Sequence, residues 1–128
     1  MLEPIVFISH NKVRKGKLDD FRQFYREEVK LVEAEKPGTL VHLAYVSEDG
    51  TEVTIVHLFP NADAFDLHMQ GTGERAKRAY ESIESDRLEI YGTPSDDALE
   101  MIRKIVASGV ALSLNPQNLG GYFRLRSD

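Results

Sequence analysis

The sequence lacks cysteine and tryptophan altogether, and it has no long apolar segment. The absence of cysteine excludes disulfide bonds, thiolate nucleophiles and zinc–thiolate sites. No apolar run approaches the roughly 18 residues of a membrane-spanning helix, and the first residues have no basic and apolar regions like those of a secretion signal. We therefore expect a cytoplasmic protein without a membrane partner.

A surplus of basic residues is also absent. The 128 residues include 16 Lys and Arg against 21 Asp and Glu, which gives a formal net charge of −5. General nucleic-acid binders need a positive field, so this balance argues against a nucleic-acid partner. Hydrophobic residues make up 41% of the chain, which is typical of a globular fold, and the length predicts one domain over residues 1–128.

Hydrophobic periodicity predicts the order strand, helix, strand, strand, helix, strand in a core at residues 4–92. We expect strands at 5–9, 39–47, 51–59 and 87–91, and helices at 18–36 and from 62 to 83 with a break at Gly71-Thr72-Gly73. This order is typical of an α+β fold with a ferredoxin-like βαββαβ antiparallel sheet. Asp49-Gly50 between two alternating segments predicts a hairpin.

Residues 93–128 form a C-terminal extension beyond that core. Thr93 and Pro94 have the pattern of a helix start, and Gly109 has that of a helix end. An apolar stripe between them predicts a helix with one buried face. We also expect short strands at 110–114 and 122–126.

The predicted strands are apolar on both faces. Leu40, His42, Ala44 and Val46 alternate with Val41, Leu43 and Tyr45, and the first strand begins Ile5-Val6-Phe7-Ile8. One face of such a sheet is covered by helices, and the other would leave a large exposed apolar patch in a monomer. We therefore predict a homodimer with two sheets face to face, whose tail reaches the neighbouring subunit. The alternative is that the extension helix covers the second face of its own sheet.

Three segments of the chain resemble the antibiotic biosynthesis monooxygenase (ABM) family. They are Lys36-Pro37-Gly38-Thr39-Leu40, the Asp49-Gly50 hairpin and Ala64-Phe65-Asp66-Leu67-His68-Met69. The resemblance covers residues 4–92 and implies a dimeric α/β barrel. It also implies a pocket between sheet and helices in which dioxygen oxidises a small aromatic or quinol substrate, without a metal, flavin or other cofactor.

The resemblance also bears on individual residues. His68 matches a histidine of the family's second helix, and Asn11 corresponds to an asparagine of the haem-degrading branch. That branch also uses a tryptophan and a further histidine. The chain has no tryptophan, and residues 74–84 contain no histidine, so haem degradation is not expected.

Polar residues in the otherwise apolar core point to an acid–base site. A two- or four-residue loop at Asp49-Gly50 places His42 opposite His57 on one sheet face. Glu28 lies in the apolar stripe of the first helix, and His68 lies in that of the second. We expect these four residues to be catalytic, with imidazoles of pKa near 6.5 that take a proton from a phenol or hydroquinone and Glu28 as their orienting partner.

Further residues extend this predicted site, and other interpretations stay open. Tyr25, Tyr45 and Tyr80 are candidates to bind substrate oxygens, and Asn11 is a further candidate for substrate binding. His10 is expected at a solvated strand end. The same pocket could bind a small molecule without turnover, or each polar group could be satisfied within the core. The imidazoles could also bind Zn²⁺, Fe²⁺ or Cu²⁺, but the sequence has no close ligand motif and no metal is expected.

Overall fold

The structure of the protein is a computed structural model that describes residues 3–106 and 109–124. Five strands and four helices occur in this part of the chain. In order they are β1 (Ile5–Val13), α1 (Leu18–Glu35), β2 (Val41–Val46), β3 (Glu52–Phe59), α2 (Ala62–Met69), α3 (Thr72–Ala79), β4 (Ile83–Tyr91), α4 (Asp96–Ile105) and β5 (Ala111–Asn115). The strands form one sheet in the order β2-β3-β1-β4-β5, in which only β4 and β5 are parallel.

This architecture confirms the predicted ferredoxin-like α+β fold, with an added helix and strand after β4. The predicted hairpin also forms, because Val46 pairs with Val53 around a loop in which Gly50 has a φ of +75°. In this register His42 lies directly opposite His57, as the Asp49-Gly50 turn predicts. The Asp49 carboxylate accepts hydrogen bonds from the Thr51 amide and hydroxyl groups, which fixes the turn.

Several element boundaries differ from the prediction. β1 continues to Val13 rather than ending at Ser9, because its polar end pairs with both β3 and β4. β4 begins at Ile83 rather than Arg87, and a register shift opposite His10 keeps its apolar residues on the core face. The sequence pattern missed both segments because charged and polar residues interrupt their alternation.

The extension differs from the prediction at both of its ends. Ser95, rather than Thr93, caps α4, since its hydroxyl accepts a hydrogen bond from the Ala98 amide. Residues 122–124 carry no strand, and the rest of the strand predicted at 122–126 lies outside the described residues. β5 forms at Ala111–Asn115, close to the predicted range.

All four helices lie against one face of the sheet. Phe59, Phe65 and Ile90 form a buried cluster to which α4 contributes Ala98 and Ile102. Since Phe59 and Ile90 point to the helix-covered face, α4 lies in the same layer as α2. The alternative that the extension helix covers the second face of its own sheet is therefore wrong.

The second face of the sheet, which we call the open face, carries the alternate residues of the same strands. Leu43 and Tyr45 of β2 are 47% and 60% exposed there. β1 contributes Val6 and Ile8 to this face, since they pair with Leu58 and Val56. The patch predicted from the two-faced strands is therefore present on the single chain. Among the described helices, none is both long and apolar enough to cross a membrane.

Candidate active site

Three histidines from three elements meet on the helix-covered face of the sheet. His42 lies on β2, His57 on β3 and His68 in the last turn of α2. The ring centroids of His42 and His57 are 4.5 Å apart, and His68 lies 5.2 Å from His57 and 5.9 Å from His42. His57 and His68 are buried, and His42 is half-buried. We call these three residues the histidine cluster.

Each imidazole of the cluster is held through its Nδ1 atom. The Nδ1–H of His57 donates to the Phe7 carbonyl over 2.9 Å, which leaves its lone pair on Nε2. His42 Nδ1 lies 2.7 Å from the Tyr25 hydroxyl, and His68 Nδ1 lies 2.9 Å from the Thr39 hydroxyl. These bonds fix the ring orientations, and the second nitrogen of each ring, Nε2, lies on its far side.

Burial keeps the cluster neutral at physiological pH. Desolvation, with a smaller effect from the Arg75 guanidinium, lowers the pKa of His42 to about 4 and that of His68 to about 3. Desolvation also lowers the pKa of His57, well below its usual value. The sequence-based expectation of imidazoles near pKa 6.5 is therefore wrong, because it took no account of the loss of water around three adjacent rings.

A buried ion pair lies beside the cluster. Glu28 is 7% exposed, and its Oε1 atom lies 3.3 Å from Arg75 Nε. Arg75 also donates to the His68 carbonyl over 2.5 Å, so it connects α3, α2 and α1. Desolvation raises the pKa of Glu28, and the nearby Arg75 and Arg78 charges act in the opposite direction. Burial thus favours the neutral form of the carboxyl group as well as that of the imidazoles.

A cavity of about 140 Å³ adjoins all three histidines. Its walls are mostly apolar and aromatic, with Phe7, Phe21, Phe24 and Ile55 among them. An apolar cavity of about 150 Å³ in another protein is large enough to hold benzene. The space is therefore about the size of one aromatic ring.

Most of the predicted site residues surround this cavity. Glu28, Tyr25, Tyr80 and Asn11 line it together with the histidine cluster. Burial raises the pKa of Tyr25 to about 12, so its hydroxyl stays protonated. Asn11 lies within β1 rather than beyond it and is buried, with its amide donating to the Val53 carbonyl.

Tyr45 and His10 do not belong to this cavity. Tyr45 is three positions from His42 on β2, so it points to the open face, and its predicted role in substrate binding is wrong. His10 is not a solvated strand end either, because it lies in β1 and bonds to the Glu89 carboxylate. Both residues share the open face of the sheet.

A close approach between two segments aligns His68 with its partner. Asn61 starts α2 by accepting a hydrogen bond from the Ala64 amide. The turn after α1 then passes so near α2 that a Cβ atom on Gly38 would lie 2.9 Å from that of Ala64. This contact brings Thr39 to His68.

Sequence and structure comparisons identify the family and the fold of the chain. The family model described as antibiotic biosynthesis monooxygenase (ABM) matches residues 4–80, which is more than half of the chain. The chain belongs to this family. No curated protein sequence matches it.

Solved structures show how far the ABM fold extends along the chain. MupZ from Pseudomonas fluorescens is 15% identical with a TM-score of 0.71, and the match covers 95% of each chain. SnoaB from Streptomyces nogalater, a cofactor-independent oxygenase, is 16% identical with a TM-score of 0.61, over 73% of this chain and 95% of its own. A Shewanella oneidensis protein is 24% identical with a TM-score of 0.58, over 71% and 91%. Most of the extension is therefore shared with MupZ.

Two residues of the candidate site were not found from the sequence. Arg75 lies on a short helix rich in charged side chains, which are usually exposed, so the pattern did not indicate a buried residue there. Thr39 was interpreted only as the beginning of a strand. A signal for Arg75 does exist, because the buried position predicted for Glu28 requires a cationic partner from another element.

Proposed function

We propose that the protein is a cofactor-independent monooxygenase that oxidises a single-ring phenol or hydroquinone with dioxygen. The observation that supports this proposal is a cluster of three neutral imidazoles beside a cavity of about 140 Å³ with aromatic walls. Membership of the ABM family and the fold shared with the cofactor-independent oxygenase SnoaB agree with it. The proposal assigns distinct tasks to the polar groups.

The first task is removal of the phenolic proton. We assign it to His42, the least buried ring of the cluster, whose pKa of about 4 is the higher of the two values given above. A phenol has a pKa near 10 in water, and burial raises it, as it does for Tyr25, so proton transfer to this ring alone would cost at least about 8 kcal/mol. The resulting ion pair gains about 4 kcal/mol at a separation of about 4 Å. The transfer then costs at least about 4 kcal/mol, which an enzyme-catalysed step accommodates.

The ion pair beside the cluster supports the same step. The Arg75 guanidinium lines the cavity and favours a phenolate over a neutral phenol. Glu28 holds this guanidinium at 3.3 Å, and we propose that it acts as an orienting residue. Tyr25, through its contact with His42, and Tyr80 and Asn11, as cavity-lining groups, are proposed to position the substrate.

The oxidation itself needs no external reductant. The phenolate passes one electron to dioxygen, and the resulting radicals join at a ring carbon that carries hydrogen. The imidazolium of His42 returns its proton to the resulting peroxide, and loss of water from this hydroperoxide gives a quinone, with one oxygen atom in the product and the other in water. The substrate supplies all four electrons, and the dry cavity keeps bulk water from the radical pair.

Oxygen uptake tests the proposal directly. We would measure it with 4-methoxyphenol and with 1,4-dimethoxybenzene, which has a similar ring but no acidic proton. The phenol should consume one dioxygen per quinone formed, and the diether should consume none. His42→Gln should reduce the rate by about 10²- to 10⁴-fold, as expected for loss of a general base.

His10→Gln is the matched control, because His10 lies on the open face and is not part of the cavity. This variant should retain the wild-type rate. The proposal is wrong if a panel of single-ring phenols gives no oxygen uptake, or if His42→Gln reacts as fast as His10→Gln.

A second candidate function is binding of a small aromatic ligand without turnover. The low pKa values of His42 and His68 favour it, because such imidazoles are weak bases in the absence of an anion. Calorimetry with the diether and the phenol separates the two functions. Tight binding of both compounds without oxygen uptake would favour a binding protein.

We further propose that the active form is a homodimer joined through the open face. Leu43 and Tyr45 would then be covered by a second sheet, as the apolar character of this face requires in water. Sedimentation analysis should give twice the chain mass of 14.5 kDa at micromolar concentration. A particle of 14.5 kDa would contradict this part of the proposal.

A further inference from the structure

We propose that the histidine cluster is also a binding site for a divalent transition-metal ion of the zinc class. This inference goes beyond the proposed oxidation, in which the same rings act without an ion. The sequence offers no compact metal motif because the three rings come from β2, β3 and α2. Only the fold brings them together.

The spacing of the ring nitrogens is close to that of a metal site. One nitrogen from each of His42, His57 and His68 lies within 4.8 Å of the others. Zinc bonds imidazole nitrogen at about 2.0–2.1 Å, so a tetrahedral site needs nitrogens about 3.4 Å apart. Shifts of about an ångström at the ring nitrogens would therefore complete the site.

The outer contacts are those that metal-binding histidines require. A ligating histidine usually uses its other ring nitrogen to bond to a carbonyl, carboxylate or hydroxyl group, which fixes the direction of the ligand lone pair. Here the Phe7 carbonyl, the Tyr25 hydroxyl and the Thr39 hydroxyl occupy this position for all three rings. The metal would be bound through Nε2 in each case.

The cavity supplies the fourth coordination position. Three imidazoles and one water or phenolate oxygen complete a tetrahedral zinc site with an exchangeable position. The positive charge of Arg75 repels a cation at this site. That charge is paired with the Glu28 carboxylate, whose Oε1 atom lies 3.3 Å from Arg75 Nε. A bound ion would occupy the nitrogens that the proposed oxidation uses, so it would inhibit that reaction.

Cobalt(II) is the probe for this site, because its visible absorption reports coordination by protein nitrogens. We would treat the protein with EDTA, remove the chelator and titrate with Co²⁺ without any substrate. Wild-type protein should bind one ion per chain with visible bands, and one equivalent of Zn²⁺ should abolish them. His42→Gln, His57→Gln and His68→Gln should each weaken binding at least about 100-fold.

Two further variants keep the test sharp if a histidine substitution disturbs folding. Thr39→Val leaves all three ligands and should weaken binding about 10- to 100-fold by removing one outer contact. His10→Gln should bind as the wild type does, since His10 lies on the open face. Ring nitrogen NMR signals of the wild-type cluster should shift on addition of Zn²⁺.

The inference is overturned if no visible bands appear, if binding survives each of the three cluster substitutions, or if only His10→Gln abolishes it. This outcome would leave the proposed oxidation standing, because the titration contains no phenol. Conversely, Co²⁺ binding together with no oxygen uptake by the metal-free protein would support the metal site and contradict the proposed oxidation.

Discussion

The two faces of the sheet differ although the same strands build both. On the helix-covered face, His57 is 6% exposed among other rings, and its environment disfavours the imidazolium. On the open face, His10 is less buried and bonds to the Glu89 carboxylate. Because successive residues of a strand point to opposite faces of the sheet, neighbouring positions of one strand lie in different chemical environments. One face carries the proposed reaction, and the other carries the proposed interface.

The largest expected effect is a loss of stability on substitution in the core of the helix-covered face. Phe65 is fully buried between Phe59 and Phe7, so Phe65→Ala should lower the free energy of unfolding by about 3–5 kcal/mol. Leu67→Ala on the exposed side of the same helix should change it by less than about 0.5 kcal/mol. Urea unfolding monitored by circular dichroism measures both, and equal effects would contradict the assignment of the core.

A charge on the open face should break the proposed dimer. Leu43→Asp would bury a carboxylate in an apolar contact, and we expect at least about 2 kcal/mol of lost association free energy. Leu31→Asp is a matched control, because Leu31 on α1 is 48% exposed and Leu43 is 47% exposed. Sedimentation velocity should give a monomer for the first variant only. A dimer that survives Leu43→Asp would assign the interface elsewhere.

Acid should destabilise the protein through the histidine cluster. Folding lowers the pKa of His42 to about 4, so below pH 6.5 the unfolded chain takes up a proton that the folded chain does not. The stability is complete above pH 6.5 and falls as the pH drops toward 4, by about 2 kcal/mol for this ring at pH 5. Urea titrations at pH 7.5 and 5 should show a smaller loss for His42→Gln than for the wild type. An equal loss would show that His42 is not the source.

Loss of the hydroxyl group should affect oxygen uptake differently at Tyr25 on α1 and at Tyr45 on β2. Tyr25→Phe removes the 2.7 Å contact with His42 Nδ1, and we expect oxygen uptake to fall about twofold to tenfold. Tyr45→Phe should leave the rate unchanged, because Tyr45 lies on the open face. The reverse order of effects would contradict the assignment of Tyr25 to the site.

The smallest expected effect concerns the tail. Tyr122 is 78% exposed and Phe123 is 51% exposed, and we predict that these rings contact the neighbouring subunit. Phe123→Ser should weaken dimerisation severalfold without changing the far-ultraviolet spectrum. Met101→Ser, at a surface position of α4, is the control and should have no effect on dimerisation.

The sequence predicted those features that depend on periodicity. The turn at Asp49-Gly50 set the register that brings His42 opposite His57, and the apolar stripe of α2 included His68. The far end of β1 was missed because His10, Asn11 and Lys12 conceal its alternation, although pairing on both sides keeps this segment extended.

What escaped prediction depends on long-range desolvation. The pKa values of the cluster follow from three rings losing water together, and no single segment carries that information. The Glu28–Arg75 ion pair joins positions 47 residues apart, and a charged residue on a short helix is by default exposed. The sequence offers two possible capping residues for α4, Thr93 and Ser95. In the structure the Ser95 hydroxyl accepts the hydrogen bond from the Ala98 amide.

Gly38 has a consequence for how this site could be altered by mutation. Any side chain there would meet Ala64, because even a Cβ atom would lie 2.9 Å from it. A methyl group would wedge the turn and α2 apart and lengthen the Thr39–His68 hydrogen bond, although no functional group had been removed. Gly38 has no side chain, yet it sets the distance between the turn and α2. A mutational screen restricted to polar side chains would overlook it.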